Sequence, residues 1–162
     1  MAKPVENSTK DISIRLHKLT FLMDRLAEQT LREGADLTFA QYRMLMALQR
    51  FGAIPQNRLA AFHGLTAGAV SRKIEELVEQ KLVARVQNPT NRREHILTMT
   101  KQGDARSAKA HRVLHATFAK LYGVLNQAEQ EALRKTLTRL LGAIWEEGRR
   151  IWCGPRISSK KR

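Results

Sequence analysis

Apolar residues recur at three- and four-residue steps through three long stretches of the chain, which is the spacing of amphipathic helices. The first stretch covers residues 9–33, and Gly34 is predicted to end it. The second is a helix of roughly 25 residues that Thr100 caps. The third begins at Asn126, where Glu129 completes a pattern like a capping box. Three long helices therefore flank a shorter middle segment.

The middle segment predicts three shorter helices in succession. Thr38 has the side chain of an N-cap, and Gly52 closes the helix that follows it. Pro55 is predicted to open the next helix, which ends in a tight turn at Gly64. Thr66 then caps a fourth helix whose apolar positions share one face. Two helices joined by a glycine turn are typical of a helix-turn-helix.

Charge is polarised along the helix that Thr66 caps. Arg72 and Lys73 lie in its first half. Its second half carries three glutamates, Glu75, Glu76 and Glu79. Only the N-terminal half can approach DNA without repulsion, which is how a recognition helix enters the major groove.

Two stretches with β-branched residues follow and predict short strands, Leu82–Gln87 and Glu94–Met99. The segment Asn88–Asn91 between them has the composition of a turn, and Arg92 and Arg93 lie at its tip. A basic hairpin directly after a helix-turn-helix predicts a winged helix-turn-helix. We therefore expect a mainly α fold with a small β-hairpin wing.

Charge and composition narrow the choice of partners. The 162 residues carry a formal net charge of +14, an excess that favours nucleic acid or an anionic membrane surface. No run of 18 apolar residues is present, so we expect no membrane span. A single cysteine, Cys153, fits a reducing cytoplasm. The basic tail, residues 154–162, is either a solvated end or a phosphate clamp that does not read sequence.

The three long helices carry more apolar surface than the small middle segment can cover. Such a surplus is most simply buried against a second copy of the chain. We expect residues 1–36 and 100–153 to form a helical dimerisation region. Residues 37–99 are expected to form the DNA-binding winged helix-turn-helix.

Three stretches carry more specific patterns: LTFAQYRMLMAL at 37–48, NRLAAFHGLTAGAVSRKIEELVEQKLVARV at 57–86 and NPTNRREHILTMTKQG at 88–103. In them the chain resembles the MarR family of bacterial transcription regulators. The last stretch is the most specific, because two wing arginines precede a strand that ends in Thr-x-Thr-x-x-Gly. The resemblance implies an obligate two-fold dimer whose first, fifth and sixth helices interlock. It also implies operator binding, usually as a repressor that a small ligand or oxidation relieves.

The resemblance also implies roles for individual residues. Arg72 matches the base-reading arginine, which can offer a bidentate fork to guanine. Ser71 and Lys73 flank it as phosphate or secondary contacts. Arg93 matches the wing arginine that enters the minor groove, and Arg92 is expected at the DNA backbone. The expected DNA-binding set is Thr66, Ala67, Gly68, Ala69, Ser71, Arg72, Lys73, Asn91, Arg92 and Arg93.

Three positions depart from the family pattern. Asn91 stands where the family usually has aspartate, and Asn88 also replaces a common acid. Without charge assistance from a carboxylate we expect a less rigid wing. Lys81 stands where a glycine is preferred at the end of the recognition helix. A left-handed backbone there costs about 1 kcal/mol.

The DNA-binding region, residues 37–99, is called the reading head below. An effector pocket between the dimer helices and the reading head is a family feature. The candidates to line it are His17, Thr20, Tyr42, Arg43, Met46, Arg112 and His115. Arg43 and Arg112 would suit a small aromatic carboxylate or another anion. The alternative is that Tyr42 and Met46 belong to the core.

Other chemistry has little support in the sequence. His111 and His115 have a spacing that can hold a metal, but no acid or cysteine close by in sequence completes a site, so we expect no metal. Arginines around Cys153 would favour its thiolate, as in a redox sensor, although an incidental thiol is the simpler interpretation. No nucleophile elbow, His-Glu-x-x-His or glycine-rich phosphate loop is present. We expect no catalytic residues, no cofactor and no enzymatic activity.

The sequence therefore predicts a cytoplasmic, nucleoid-associated regulator that binds a pseudo-palindromic operator in double-stranded DNA as a homodimer. We expect a repressor that a small aromatic or anionic effector relieves, and no membrane partner. The alternative is a weakly specific architectural protein that binds nucleic acid through its positive charge.

Overall fold

The computed structural model describes residues 4–63, 66–91 and 94–151, and of residues 4–8, 67 and 146–151 it describes the backbone. The described part is mainly α with one small sheet, as the sequence predicts. Its elements in chain order are α1 (Pro4–Ala35), α2 (Phe39–Phe51), β1 (Ile54–Pro55), α3 (Gln56–His63), α4 (Ala67–Glu79), β2 (Val83–Gln87), β3 (His95–Met99), α5 (Lys101–Tyr122) and α6 (Gln127–Ile151).

The sheet has three antiparallel strands in the order β1-β3-β2. The β2–β3 hairpin is the predicted wing, and its register pairs Val83 with Met99 and Gln87 with His95. The third strand was not predicted. Pro55 was expected to open a helix, but it lies in β1 and pairs with Ile96 of β3. The helix α3 begins one residue later. An edge strand tolerates proline because the missing N–H leaves no ladder partner unsatisfied on the outer side.

The chain divides into two compact units, residues 1–117 and 118–162, with the division inside α5. The first unit contains the sheet and α1 to α4, and the side chains at its centre are fully buried. They come from α1, α2, α3, α4 and β3 and include Leu31, Leu45, Leu59, Ile74, Leu77 and Leu97. This core fixes the helix-turn-helix against the wing.

The second unit contains α6, whose start follows the predicted capping pattern. Glu129 N–H donates to Asn126 Oδ1 at 3.0 Å, and Asn126 N–H donates to Glu129 Oε2 at 2.8 Å. The apolar residues of α6 are exposed within the described residues, from Leu133 at 37 % to Trp145 at 71 %. The second unit therefore presents an uncovered apolar helix face.

The end of α1 differs from the prediction. Gly34 lies inside the helix, which ends at Ala35, and Asp36 follows it with a φ of 54°. Aspartate adopts this left-handed conformation more readily than most residues. Arg106 Nη1 stabilises it by donating to the Ala35 carbonyl and to Asp36 Oδ2, both at 3.1 Å. Gly34 instead permits close packing, since a Cβ there would lie 3.1 Å from the methyl groups of Val113.

Candidate nucleic-acid interface

The N-terminus of α4 is built as a capped helix with a narrow exposed face. Thr66 has an extended backbone, and its Oγ1 accepts a hydrogen bond from Ala69 N–H at 3.3 Å, which confirms the predicted N-cap. Val70 and Ile74 are fully buried and anchor the helix. Thr66 and Gly68 are consequently exposed, and Ala69 is half-buried. Gly64, the predicted turn residue, lies outside the described residues.

The three polar residues of the predicted reading turn differ in what they contact. The Ser71 hydroxyl donates to Glu75 Oε1 at 3.2 Å, and Lys73 Nζ lies 3.9 Å from Glu76 Oε2. Arg72 is exposed and makes no hydrogen bond or ion pair with any residue that the structure describes. The acidic second half of α4 thus engages the neighbours of Arg72 but leaves its guanidinium available to a partner.

The C-terminus of α4 closes with two hydrogen bonds that run back into the helix. Lys81 N–H donates to the Val78 carbonyl and Leu82 N–H to the Leu77 carbonyl, both at 2.9 Å. This is a Schellman motif, which requires a left-handed residue at the position of Lys81. The φ of 59° at Lys81 meets this requirement. Leu77 and Leu82 are both fully buried, as the apolar contact of this motif demands.

The base of the wing is held by backbone and side-chain hydrogen bonds. Asn88 N–H donates to the Glu94 carbonyl at 2.9 Å, and Glu94 N–H donates to the Asn91 carbonyl at 2.9 Å. The Glu94 carboxylate also accepts from two asparagine side chains, Asn57 of α3 at 3.0 Å and Asn88 at 3.2 Å. Asn91 is exposed, and the wing arginines lie outside the described residues.

Sequence reasoning missed Glu94 as a structural partner in this hairpin. An acidic residue directly after two arginines is unfavourable on a surface that is expected to bind DNA. Its presence in the sequence could have indicated a structural role for Glu94.

The residues expected to line an effector pocket lie on three helices, α1, α2 and α5. The structure joins Tyr42, which is 8 % exposed, to His111, since the Tyr42 hydroxyl lies 3.1 Å from His111 Nδ1. His111 in turn lies beside His115, with ring centroids 6.4 Å apart. Arg43 is exposed, and its Cζ lies over the Phe39 ring, 6.0 Å from the ring centroid. Of the others, His17, Thr20 and Arg112 are exposed and Met46 is half-buried.

His63 at the end of α3 is a titratable group inside the reading head. Its Nε2 is buried and has no hydrogen-bond partner within the described ranges. Its ring packs edge-on against Phe62, with centroids 5.1 Å apart. Burial, and secondarily the positive charge of Arg43, lowers the pKa of His63 below its usual value.

The described ranges hold neither a candidate membrane span nor a candidate cluster of metal ligands. No helix there combines the length and apolar character that a membrane span requires. No three or more His, Cys, Asp or Glu residues there are grouped so as to hold a metal ion. Cys153 and the basic tail lie outside the described residues.

Comparison with known proteins agrees with this geometry. The MarR family model matches residues 35–94, from the start of the predicted reading head to the wing. An uncharacterized HTH-type transcriptional regulator, YhbI of Bacillus subtilis strain 168, is 29% identical over 111 residues, covering 67% of this chain and 72% of YhbI.

Solved structures are similar over most of the chain. Wild-type MarR from E. coli in its apo form has a TM-score of 0.74 at 25% identity, covering 80% of this chain and 95% of MarR. A cysteine-to-serine variant of the same protein, complexed with operator DNA, has a TM-score of 0.70 at 25% identity, covering 83% and 96%. The fold, the family model and these relatives identify the protein class as winged helix-turn-helix. Over residues 35–94 the chain is similar to the MarR family.

Proposed function

We propose that the protein is a transcription regulator that binds a pseudo-palindromic operator in double-stranded DNA. The observation that carries the proposal is the exposed Arg72 guanidinium, which no described residue engages, in the N-terminal half of a capped recognition helix. The relatives with the HTH-type regulator name and the MarR structure complexed with operator DNA support it.

The proposed contacts follow from the position of each residue on α4 and the wing. The backbone N–H groups of Ala67 and Gly68, at the positive end of the helix dipole, face a phosphate. Thr66 and Ala69 lie in the same turn and allow close approach. Arg72 reads a guanine edge, while Ser71 and Lys73 exchange their glutamate partners for phosphates. The wing contributes a second contact through Asn91, Arg92 and Arg93.

Selection of preferred duplexes from a random pool tests this proposal. A two-fold dimer with paired recognition helices should enrich an inverted repeat whose half-site centres are about 34–36 Å apart. The alternative, an architectural protein driven by its net charge of +14, should enrich no repeat.

We further propose that the protein is a homodimer formed through the long helices, residues 1–36 and 100–153. Exposed apolar side chains on α1 support this, since Ile12 is 52 % and Phe21 59 % exposed. On α6, Ile144 is 68 % exposed. Sedimentation equilibrium should give twice the chain mass for the wild type. Ile144→Asp should shift the population toward monomer, whereas Arg139→Asp, an exposed polar position on the same helix, should not.

The regulatory part of the proposal is repression relieved by a small aromatic or anionic ligand. It requires that the ligand favour one spacing of the two reading heads over the other. Basic side chains on α2 and α5, Arg43 and Arg112, are exposed and could pair with a carboxylate. A screen of aromatic acids by melting temperature, repeated on Arg43→Ala, tests this, because a true ligand should lose its shift in that variant. We place the protein in the cytoplasm with its DNA.

A further inference from the structure

Two side-chain amides from different parts of the reading head converge on the carboxylate of Glu94. Asn57 Nδ2, in the first turn of α3, donates to Glu94 Oε1 at 3.0 Å. Asn88 Nδ2, directly after β2, donates to Glu94 Oε2 at 3.2 Å. One carboxylate thus connects the helix-turn-helix to the base of the wing.

The side-chain amides of Asn57 and Asn88 are held in one orientation by the hydrogen bonds that their oxygen atoms accept. Asn57 Oδ1 accepts from Arg58 N–H at 2.7 Å. Asn88 Oδ1 accepts from the Thr90 N–H at 3.0 Å and from the Thr90 hydroxyl at 2.8 Å. Neither amide can turn its oxygen toward Glu94 without losing these bonds. The residue at position 94 must therefore offer two acceptor oxygens, and among side chains of this length only ionised glutamate does so.

The charge of Glu94 makes its position informative. A negative charge that directly follows Arg92 and Arg93 in the sequence weakens the attraction of the hairpin for phosphate, so on electrostatics alone it opposes DNA binding. Asn57 and Asn88 supply charge-assisted hydrogen bonds that fix it there. A structural role that offsets this electrostatic cost is the simplest physical reason for the acid.

We propose that Glu94 is the positioning residue of the wing, holding the hairpin at a fixed angle to α3 so that its arginines meet the minor groove that flanks the recognition helix. The proposal rests on the proposed operator binding. In the family pattern an aspartate at the position of Asn91 is expected to make the wing rigid. Under the proposal, Glu94 makes the wing rigid in this chain.

Glu94→Gln tests the proposal because the charge effect and the positioning effect have opposite signs. Removing the negative charge should tighten binding to any duplex, whereas losing the second acceptor should weaken binding wherever the wing contributes. We expect about tenfold weaker binding to a selected operator, roughly the contribution of one hydrogen bond to a charged group. On the same operator with its outer flanks randomised we expect no weakening.

The matched control is Glu79→Gln, which removes the same charge from an exposed glutamate of α4 that makes no hydrogen bond or ion pair within the described residues. It should bind both duplexes as tightly as the wild type or tighter. If Glu94→Gln behaves like Glu79→Gln, the positioning role is overturned.

A compensating exchange distinguishes positioning from a general loss of structure. In Asn57→Asp with Glu94→Gln, the new amide donates to the new carboxylate, which still accepts from Arg58 N–H, and the net charge equals that of the wild type. Operator binding should return to within about twofold of the wild type. Asn57→Asp alone places two carboxylates together and should weaken binding. An exchange that fails to restore binding contradicts the proposal.

Amide hydrogen exchange in the free protein tests, without DNA, whether Glu94 positions the wing. The N–H groups of Asn88, Asn91 and Glu94, which bond within the hairpin base, should exchange faster in Glu94→Gln and recover in the double variant. Unchanged exchange rates overturn the proposal. A wild type without preference for any selected duplex overturns the proposed function instead, and the exchange rates still decide whether Glu94 fixes the wing.

Discussion

The hydroxyl of Thr100 donates a hydrogen bond of 2.7 Å to the carbonyl oxygen of Lys81. The same Oγ1 accepts from Gly103 N–H at 3.0 Å and so caps α5. Thr100 N–H also donates to the Leu82 carbonyl at 3.1 Å. One threonine therefore joins the end of the recognition helix to the start of α5, which gives a physical reason for the Thr-x-x-Gly sequence, Thr100 to Gly103, that follows the wing.

Lys81→Gly should raise the melting temperature. The left-handed backbone of Lys81 costs about 1 kcal/mol that glycine does not incur. Thermal unfolding followed by circular dichroism measures the shift. Gln80→Gly is the matched control, since Gln80 has a φ of −75° and glycine there should lower the melting temperature. A fall in Lys81→Gly as large as that in Gln80→Gly would show that the left-handed cap carries no strain.

Gly103→Ala should destabilise the reading head. A Cβ at this position would collide with the Leu82 carbonyl oxygen and lie 2.9 Å from Met99 Cγ. We expect a loss of about 1–3 kcal/mol in the free energy of unfolding, measured by urea denaturation. Gly142→Ala is the control, because an added Cβ there meets no described atom within 4 Å and alanine is the better helix former. Equal stability of Gly103→Ala and wild type would refute the close approach.

Stability should depend on pH through His63. Its pKa is lowered by burial and by Arg43, so the unfolded chain binds a proton more readily than the folded one. The folded state is therefore unaffected by His63 well above pH 6.5 and loses stability as the pH falls through that value toward the lower folded pKa. The free energy of unfolding should be measured by urea denaturation at several pH values between 5 and 8. The slope of this free energy against pH should be shallower for His63→Phe, which keeps an aromatic ring beside Phe62. An unchanged slope would contradict this prediction.

Tyr42→Phe should cost about 1 kcal/mol of stability, because it removes the hydroxyl that meets His111 at 3.1 Å from a nearly buried ring. A double-mutant cycle with His111→Ala isolates the pair. We expect a coupling energy of about 0.5 kcal/mol or more. Strictly additive effects would mean that the two side chains do not interact in solution.

Much of the head could be predicted from local sequence signals. The caps at Thr38, Thr66 and Asn126 follow from side-chain chemistry within three residues, and the structure confirms each of them. The left-handed φ of Lys81 agrees with the family resemblance, which has glycine preferred at that position. These features depend on neighbours in sequence, and a single chain displays such neighbours directly.

What could not be predicted depends on distant partners. The strand at Pro55 exists because β3 offers an edge, and the helix boundary at Asp36 depends on Arg106, 70 residues away. The bridge from Asn57 to Glu94 spans 37 residues. Neither periodicity nor composition indicates such contacts. The prediction from sequence therefore ended α1 at Gly34, which was wrong, and gave no role to the Glu94 carboxylate at the base of the wing.

The central claim is that Arg72 reads bases, and one comparison of affinities tests it most directly. Wild type, Arg72→Ala and Arg139→Ala should be titrated against a selected duplex and a random duplex at about 0.15 M salt. Wild type and Arg139→Ala should bind the selected duplex about a thousandfold or more tightly than the random one. Arg72→Ala should lose at least about tenfold of that preference. An equal preference in all three proteins, or no preference in the wild type, would contradict the claim.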